Sequence, residues 1–150
     1  MQKAIKAARH TGLVVSDLDR ALDFYGGVLG LEIVDRKKEK GAYIDSVVGM
    51  KGVELEWIKL RTQDGYIIEL LNYISHPDSA SAGMPAKSNR LGCSHVAFTV
   101  NDIDSLYKIF TAKGYACNSM PQTSPDGKVK VLYAHDPDGI ILELVHELML

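Results

Sequence analysis

The chain has 150 residues, of which 46% are hydrophobic and 24% are charged, and these values are ordinary for a single globular domain. They exclude disordered, collagen-like and coiled-coil proteins. The formal net charge of −2 argues against nucleic acid as a partner, and no apolar run approaches the roughly 18 residues of a membrane helix. Two cysteines without a paired motif, and an N-terminus without the apolar core of a signal peptide, predict a cytoplasmic protein that does not bind membranes.

A short strand and a helix are predicted to open the first module. An apolar run follows His10, and Ser16-Asp17 then supplies a helix N-cap. Gly26-Gly27 is expected to end the helix. The apolar residues between these signals have the i, i+3, i+4, i+7 spacing of one helix face: Leu18, Ala21, Leu22 and Tyr25.

Several strands are predicted to complete this module, and the last of them begins at Asp64-Gly65. Asp-Gly followed by an apolar, β-branched run is typical of a turn that leads into a buried strand. The first module therefore covers about residues 5–74. Residues 75–92 are rich in Ser, Pro, Gly, Ala and Asn without periodicity, and they are predicted to form a linker.

The second module, about residues 93–148, repeats the first. Residues 95–104 align with residues 10–19, with His, Val and two Asp at equivalent positions, and Asp138-Gly139 corresponds to the earlier Asp-Gly. We therefore predict an α+β fold in which paired βαβββ modules form a curved mixed sheet around a cavity, within one domain of residues 1–150. The second helix carries the equivalent apolar stripe, N-cap and stop: Ile103, Leu106, Tyr107 and Phe110, Asn101-Asp102, and Gly114.

Side chains alternate between the two faces of a strand, and this alternation places two histidines and two glutamates on faces that otherwise carry small or apolar residues. His10 and His95 lie on the strand faces with the smaller side chains, while the larger apolar residues point the other way. Glu69 and Glu143 interrupt apolar rows at equivalent positions of the closing strands. A carboxylate in such a row costs several kcal/mol unless it is paired, coordinated or protonated.

These four residues have the chemistry of a divalent metal site. Two neutral imidazoles and two carboxylates together carry two negative charges, which one divalent cation neutralises. This set of ligands suits Zn, Ni, Co, Mn or Fe, and four protein ligands on an octahedral ion leave two positions for substrate. His10, Glu69, His95 and Glu143 are therefore predicted to bind one such ion.

The remaining histidines and glutamates are expected to have other roles. His76, His135 and His146 are predicted to be surface or structural residues. Glu54 and Glu56 are expected on a solvated strand edge, with a role as a catalytic base as the alternative.

These motifs resemble the vicinal oxygen chelate superfamily, which includes glyoxalase I, methylmalonyl-CoA epimerase, extradiol dioxygenases and the fosfomycin and bleomycin resistance proteins. The resemblance implies paired βαβββ modules and metal ligation by His10, Glu69, His95 and Glu143. It also implies a homodimer, sometimes with the site built at the subunit interface. The matching stretches are residues 10–25, 29–32, 68–71, 95–104 and 136–144.

A fourth ligand at Glu69 resembles glyoxalase I and methylmalonyl-CoA epimerase, in which a carboxylate moves a carbon-bound proton beside an oxygen that the metal polarises. We therefore expect a metal-dependent lyase or isomerase with Glu143 or Glu69 as the base, acting on a small molecule such as a thiol adduct or an acyl thioester. Lys51-Gly-Val departs from the epimerase motif, and Asn72-Tyr departs from the Trp-Gly of glyoxalase I. Two alternatives stay open: an Fe(II) ring-cleaving dioxygenase, and a small-molecule binding protein of the bleomycin-resistance kind.

Overall fold

The computed structural model describes residues 4–78 and 84–148. The chain divides into two compact units, Met1–Ala80 and Ser81–Leu150, and each contains a four-stranded mixed sheet. The predicted α+β class with two similar modules is confirmed. The sequence predicts one curved sheet, whereas the described strands form two, because the first strand of each module pairs with the last strand of the same module.

The first unit has the sheet order β1-β4-β3-β2, in which β1 is parallel to β4 and the other pairs are antiparallel. Its elements are β1 (Thr11–Val14), α1 (Leu18–Leu22), a π-helical segment (Asp23–Val28), β2 (Glu32–Lys40), α2 (Ala42–Val48), β3 (Glu54–Arg61) and β4 (Ile67–Tyr73).

Helix α1 begins where the sequence predicts, because Oδ1 of Asp17 accepts the backbone N–H of Arg20. The predicted stop at Gly26-Gly27 is wrong, since the chain continues as a π-helical turn to Val28. The wider turn lets two consecutive aromatic residues, Phe24 and Tyr25, both enter the core. Their rings pack edge to face with centroids 5.1 Å apart.

The second unit repeats this topology with the order β5-β8-β7-β6, and β5 is parallel to β8. Asp102 caps the N-terminus of its helix, and Gly114 ends that helix with a φ of 79°, both as predicted. The elements are β5 (His95–Thr99), α3 (Ile103–Lys113), β6 (Gln122–Thr123), β7 (Val129–His135) and β8 (Ile141–Glu147).

Side chains alternate between the two faces of each sheet, and one of these faces is apolar and buried. The apolar residues of that face are Leu13, Val15, Ile58, Leu60, Ile68 and Leu70 in the first unit, and Leu132, Ala134, Leu142 and Leu144 in the second. Each such burial stabilises the fold by about 1.5–3 kcal/mol for a side chain the size of Leu or Ile. Side chains of opposite parity, including those of Glu69 and Glu143, therefore lie on the other face.

Sequence periodicity does not predict helix α2. Its one buried apolar residue, Ile44, packs with Val53 and Leu55 in a small cluster at the start of β3. Residues 75–78 and 84–94 form no helix or strand, and residues 79–83 of the predicted linker lie outside the described residues, so the linker stays a prediction. Within the described ranges, no helix is long and apolar enough to cross a membrane.

Candidate metal centre

The first unit brings His10 and Glu69 together across two parallel strands. Register pairs Gly12 of β1 with Glu69 of β4, and His10 lies two residues before Gly12, immediately ahead of the strand. His10 and Glu69 are therefore diagonal neighbours on adjacent strands, and this diagonal is short enough for long side chains to meet. Nε2 of His10 lies 3.9 Å from Oε2 of Glu69, and the side chains are 33% and 13% exposed. The two side chains are therefore close together and partly open to a ligand.

The second unit repeats the same diagonal. Register pairs Ala97 of β5 with Glu143 of β8, and His95 lies two residues before Ala97. Nε2 of His95 lies 3.1 Å from Oε2 of Glu143. The duplicated sequence thus produces a duplicated pair, with the imidazole and the carboxylate in the same relative positions in each unit.

Each pair fits two ligands of one metal ion. Ligand atoms bound at about 2.0–2.2 Å from an ion lie roughly 3–4 Å from each other, and both His–Glu distances fall in that range. Imidazole nitrogen and carboxylate oxygen are also the donors that Zn, Ni, Co, Mn and Fe accept. In residues 4–78 and 84–148, no three His, Cys, Asp or Glu side chains form a group that could hold a metal. The four-ligand centre therefore stays a prediction.

The residue before His95 orients its imidazole. Oγ of Ser94 lies 2.7 Å from Nδ1 of His95, within hydrogen-bond distance. If Nδ1 carries the hydrogen and donates it to Ser94, Nε2 keeps its lone pair for a metal. Ligating histidines commonly donate their other ring N–H in this way. Ser94 is not among the residues predicted from the sequence, and its position directly before a candidate ligand is the signal that could have found it.

The two pairs differ in the residue that lies beside the glutamate. Lys59 is opposite Glu69 in the β3–β4 register, and Nζ of Lys59 lies 3.6 Å from Oε2 of Glu69. The corresponding residue opposite Glu143 is Tyr133, whose ring centroid lies 5.1 Å from that of His95. The first pair thus has a cation beside it and the second has an aromatic ring. Sequence parity did not reveal this difference, because it does not give the register between β3 and β4.

Glu56 and His135 both have structural roles. The predicted solvated edge is wrong for Glu56, which is buried and accepts a hydrogen bond from Nε of Arg36. His135 is also buried, and its two ring nitrogens contact Oδ1 of Asn118 at 2.8 Å and the carbonyl of Gly139 at 3.3 Å.

A cleft of about 250 Å³ lies in the second unit, next to the chain segment that leads into β5. Ser94 and Ile141 form part of its wall, and Ile141 is the register partner of His95. Two cations, Lys87 and Arg90, and one carboxylate, Asp138, also line the cleft. The cleft adjoins the second His–Glu pair through Ser94 and Ile141, and neither residue of that pair lines it.

Comparison with known proteins identifies the family of these modules. Residues 7–144 match the model of the Glyoxalase/Bleomycin resistance protein/Dioxygenase superfamily. A probable lactoylglutathione lyase from Synechocystis is 30% identical over 138 residues, which are 91% of this chain and 92% of the relative.

Longer relatives and a solved structure show the same similarity. Lactoylglutathione lyase from Schizosaccharomyces pombe is 27% identical over 143 residues, and the match covers 92% of this chain but only 46% of the relative. The chain therefore spans about half the length of that enzyme. The crystal structure of a glyoxalase family protein from Bacillus cereus has a TM-score of 0.86 and 27% identity, and the match covers 99% of this chain and all of the other.

Proposed function

Because this chain belongs to the Glyoxalase/Bleomycin resistance protein/Dioxygenase superfamily, we propose that it is a divalent-metal-dependent lyase of the lactoylglutathione lyase type. The relatives support a lyase-type enzyme at the level of the family. The finer proposal is a proton transfer between adjacent carbons of an adduct between a thiol and an α-ketoaldehyde.

One observation carries this proposal: the same His–Glu diagonal occurs in both units. A single imidazole beside a carboxylate is a common structural pair, but duplication at equivalent register positions favours a shared ligand. We propose that His10, Glu69, His95 and Glu143 hold one ion, supplied by one chain or by two copies in a homodimer. When bound, the ion stabilises negative charge that develops on substrate oxygen.

Glu143 is the proposed general base, a role it would take after leaving the ion when substrate enters. Its carboxylate takes the proton from the carbon that bears sulfur and hydroxyl, and returns it to the neighbouring carbonyl carbon. The hydroxyl proton passes to the former carbonyl oxygen at the same time, so the hydroxyketone adduct becomes a hydroxy thioester with no net change in atoms. Such a positioned base contributes about 10²–10⁴-fold to the rate. Glu69 is the alternative base, but its Oε2 already lies near the ammonium of Lys59, which holds it toward β3.

The proposed substrate follows from the relatives' activity. The adduct of methylglyoxal and glutathione is an isomer of lactoylglutathione. In this adduct the sulfur is bonded to the carbon that loses its proton. We propose that the cleft beside Ser94 takes the thiol portion, because Lys87 and Arg90 provide two cations for its carboxylates against the one carboxylate of Asp138 in the lining.

The test is reconstitution followed by turnover. The chain, purified without chelators, is loaded separately with Ni²⁺, Co²⁺, Zn²⁺ and Mn²⁺, and thioester formation from the methylglyoxal–glutathione adduct is followed by absorbance. We expect at least one loaded form to turn over, and a chelator to remove that activity. Loaded protein that binds the adduct without converting it would instead favour a binding protein, and oxygen uptake with catechols would favour a dioxygenase.

A further inference from the structure

The repeat is broken at one position beside the proposed ligands. The strands before β4 and β8 place Lys59 opposite Glu69 and Tyr133 opposite Glu143, at equivalent points of the two sheets. Since the second sheet forms with an aromatic residue there, the fold does not require a lysine at this position.

Lys59 is held near Glu69 but remains open to a ligand. Its Nζ lies 3.6 Å from Oε2 of Glu69 and 4.3 Å from the ring centroid of Trp57, within the range of a cation–π contact. The Lys59 side chain is 28% exposed. A separation of 3.6 Å is longer than a hydrogen bond, and an ammonium has three N–H donors, so Lys59 can donate to a further acceptor.

Metal binding changes the charge balance around this lysine. The charges of two glutamates and one divalent ion cancel, so a loaded centre would have a net charge of one positive unit, which comes from Lys59. The ion also draws the charge of Glu69 away from the ammonium. A cation that is mostly shielded from water gains most from a new anionic partner, because attraction between charges is stronger where the dielectric constant is low.

We propose that Lys59 binds an anionic oxygen of a metal-bound ligand and makes the loaded site selective for ligands that carry a negative charge near their chelating oxygen pair. This inference rests on the metal site of the proposed function, since it requires Glu69 to be a metal ligand, and not on the glutathione adduct, whose carboxylates lie away from its chelating oxygens. It assigns the two modules different tasks, because Lys59 provides charge recognition on one sheet while Tyr133 packs on His95 in the other.

The test uses a matched pair of chelators on the Co²⁺-loaded protein. The probes are the monohydroxamate of succinic acid, which has a free carboxylate, and the hydroxamate of succinamide, in which that group is neutral. Calorimetry measures the dissociation constant of each, and the cobalt absorption bands confirm that both coordinate the metal. We expect the wild type to prefer the charged probe by about tenfold. The preference should fall as salt is added, because salt screens charge.

Three variants separate charge recognition from structural support. In Lys59→Gln the preference should drop to about one, in Lys59→Arg most of it should remain, and in Lys51→Gln, an exposed control in the same unit, it should be unchanged. Circular dichroism and a Co²⁺ titration establish that each variant is folded and loaded.

The outcomes distinguish this inference from the proposed function. If Lys59→Gln binds Co²⁺ and both probes yet keeps the tenfold preference, the inference is overturned while the metal site stands. A change in Co²⁺ affinity alone, with the preference intact, would likewise reduce Lys59 to a structural partner of Glu69. If the wild type binds no divalent metal, the Co²⁺ titration already contradicts the proposed function, and the inference falls with it.

Discussion

Nε2 of His95 lies 3.1 Å from Oε2 of Glu143 because parallel pairing of β5 with β8 sets the two residues on one diagonal of the sheet. The same diagonal joins His10 to Glu69 in the first unit. A duplicated strand register therefore delivers two chemically equivalent pairs, and the proposed metal chemistry depends on that duplication.

Replacing Ser94 with alanine should weaken metal binding without unfolding the protein. Without the Ser94 hydroxyl, Nδ1 of His95 loses its partner, and the orientation and tautomer of the ring are less well defined. Loss of such a partner lowers metal affinity by about 10–100-fold. Competition with a chromophoric chelator measures the change, and Ser119→Ala, in an exposed loop, is the control. Equal affinities in the wild type and Ser94→Ala would contradict this role.

Glu143→Gln should lower kcat by at least about 100-fold when the metal is saturating, because an amide cannot accept the proton. The measurement is turnover of the methylglyoxal–glutathione adduct, with metal content determined on the same sample. Glu147→Gln, exposed at the end of the same strand, is the matched control and should keep wild-type turnover. Full activity of Glu143→Gln with metal bound would remove Glu143 from the base role.

Glu56 should make folding stability depend on pH. The hydrogen bond from Arg36 lowers the pKa of Glu56 in the folded protein, so the folded state binds fewer protons than the unfolded state near that pKa. Its contribution is complete above the unfolded pKa of about 4.3 and is lost as pH falls through the lower folded pKa.

Urea unfolding of Arg36→Gln tests this dependence. We expect a loss of about 1–2 kcal/mol at neutral pH, reduced by the partial exposure of Arg36, and a smaller loss near pH 3. The exposed pair of Arg61 and Glu32 provides the control, since Arg61→Gln should cost less than about 1 kcal/mol. A loss for Arg36→Gln that is the same at both pH values would contradict the explanation.

Gly139→Ala should destabilise the protein more than Gly127→Ala. Both glycines have positive φ, 86° and 72°, so alanine costs about 1–2 kcal/mol at either position. At position 139 a Cβ atom would also lie 2.0 Å from the carbonyl oxygen of Met84, whereas at 127 it meets nothing within 4 Å. Overpacking adds about 1–3 kcal/mol. Urea unfolding of both variants measures the loss in free energy of unfolding. Equal losses would show that the backbone at Met84 moves aside without cost and would contradict this prediction.

The sequence repeat and strand parity were sufficient to predict much of the fold. They placed His10, Glu69, His95 and Glu143 on the faces opposite the core, because alternation along a strand is a local property. They did not predict the π-helical turn before Val28, because two glycines favour ending a helix and tertiary packing of Phe24 overrides that preference.

Residues that act across strands were harder to predict. Lys59 faces Glu69 only because the turn between β3 and β4 sets their register, and sequence alone does not give that register. Glu56 was misjudged for the same reason, since its partner Arg36 lies on a neighbouring strand. A local hydrophobic pattern cannot reveal either contact.

Anomalous scattering from crystals grown with Co²⁺ or Zn²⁺ tests the central claim most directly. We predict one peak per chain, at about 2.0–2.2 Å from Nε2 of both His10 and His95 and from carboxylate oxygens of Glu69 and Glu143. The four ligands belong to one chain or to two copies. A fully loaded crystal whose metal lies on only one His–Glu pair, or on other residues, would contradict it.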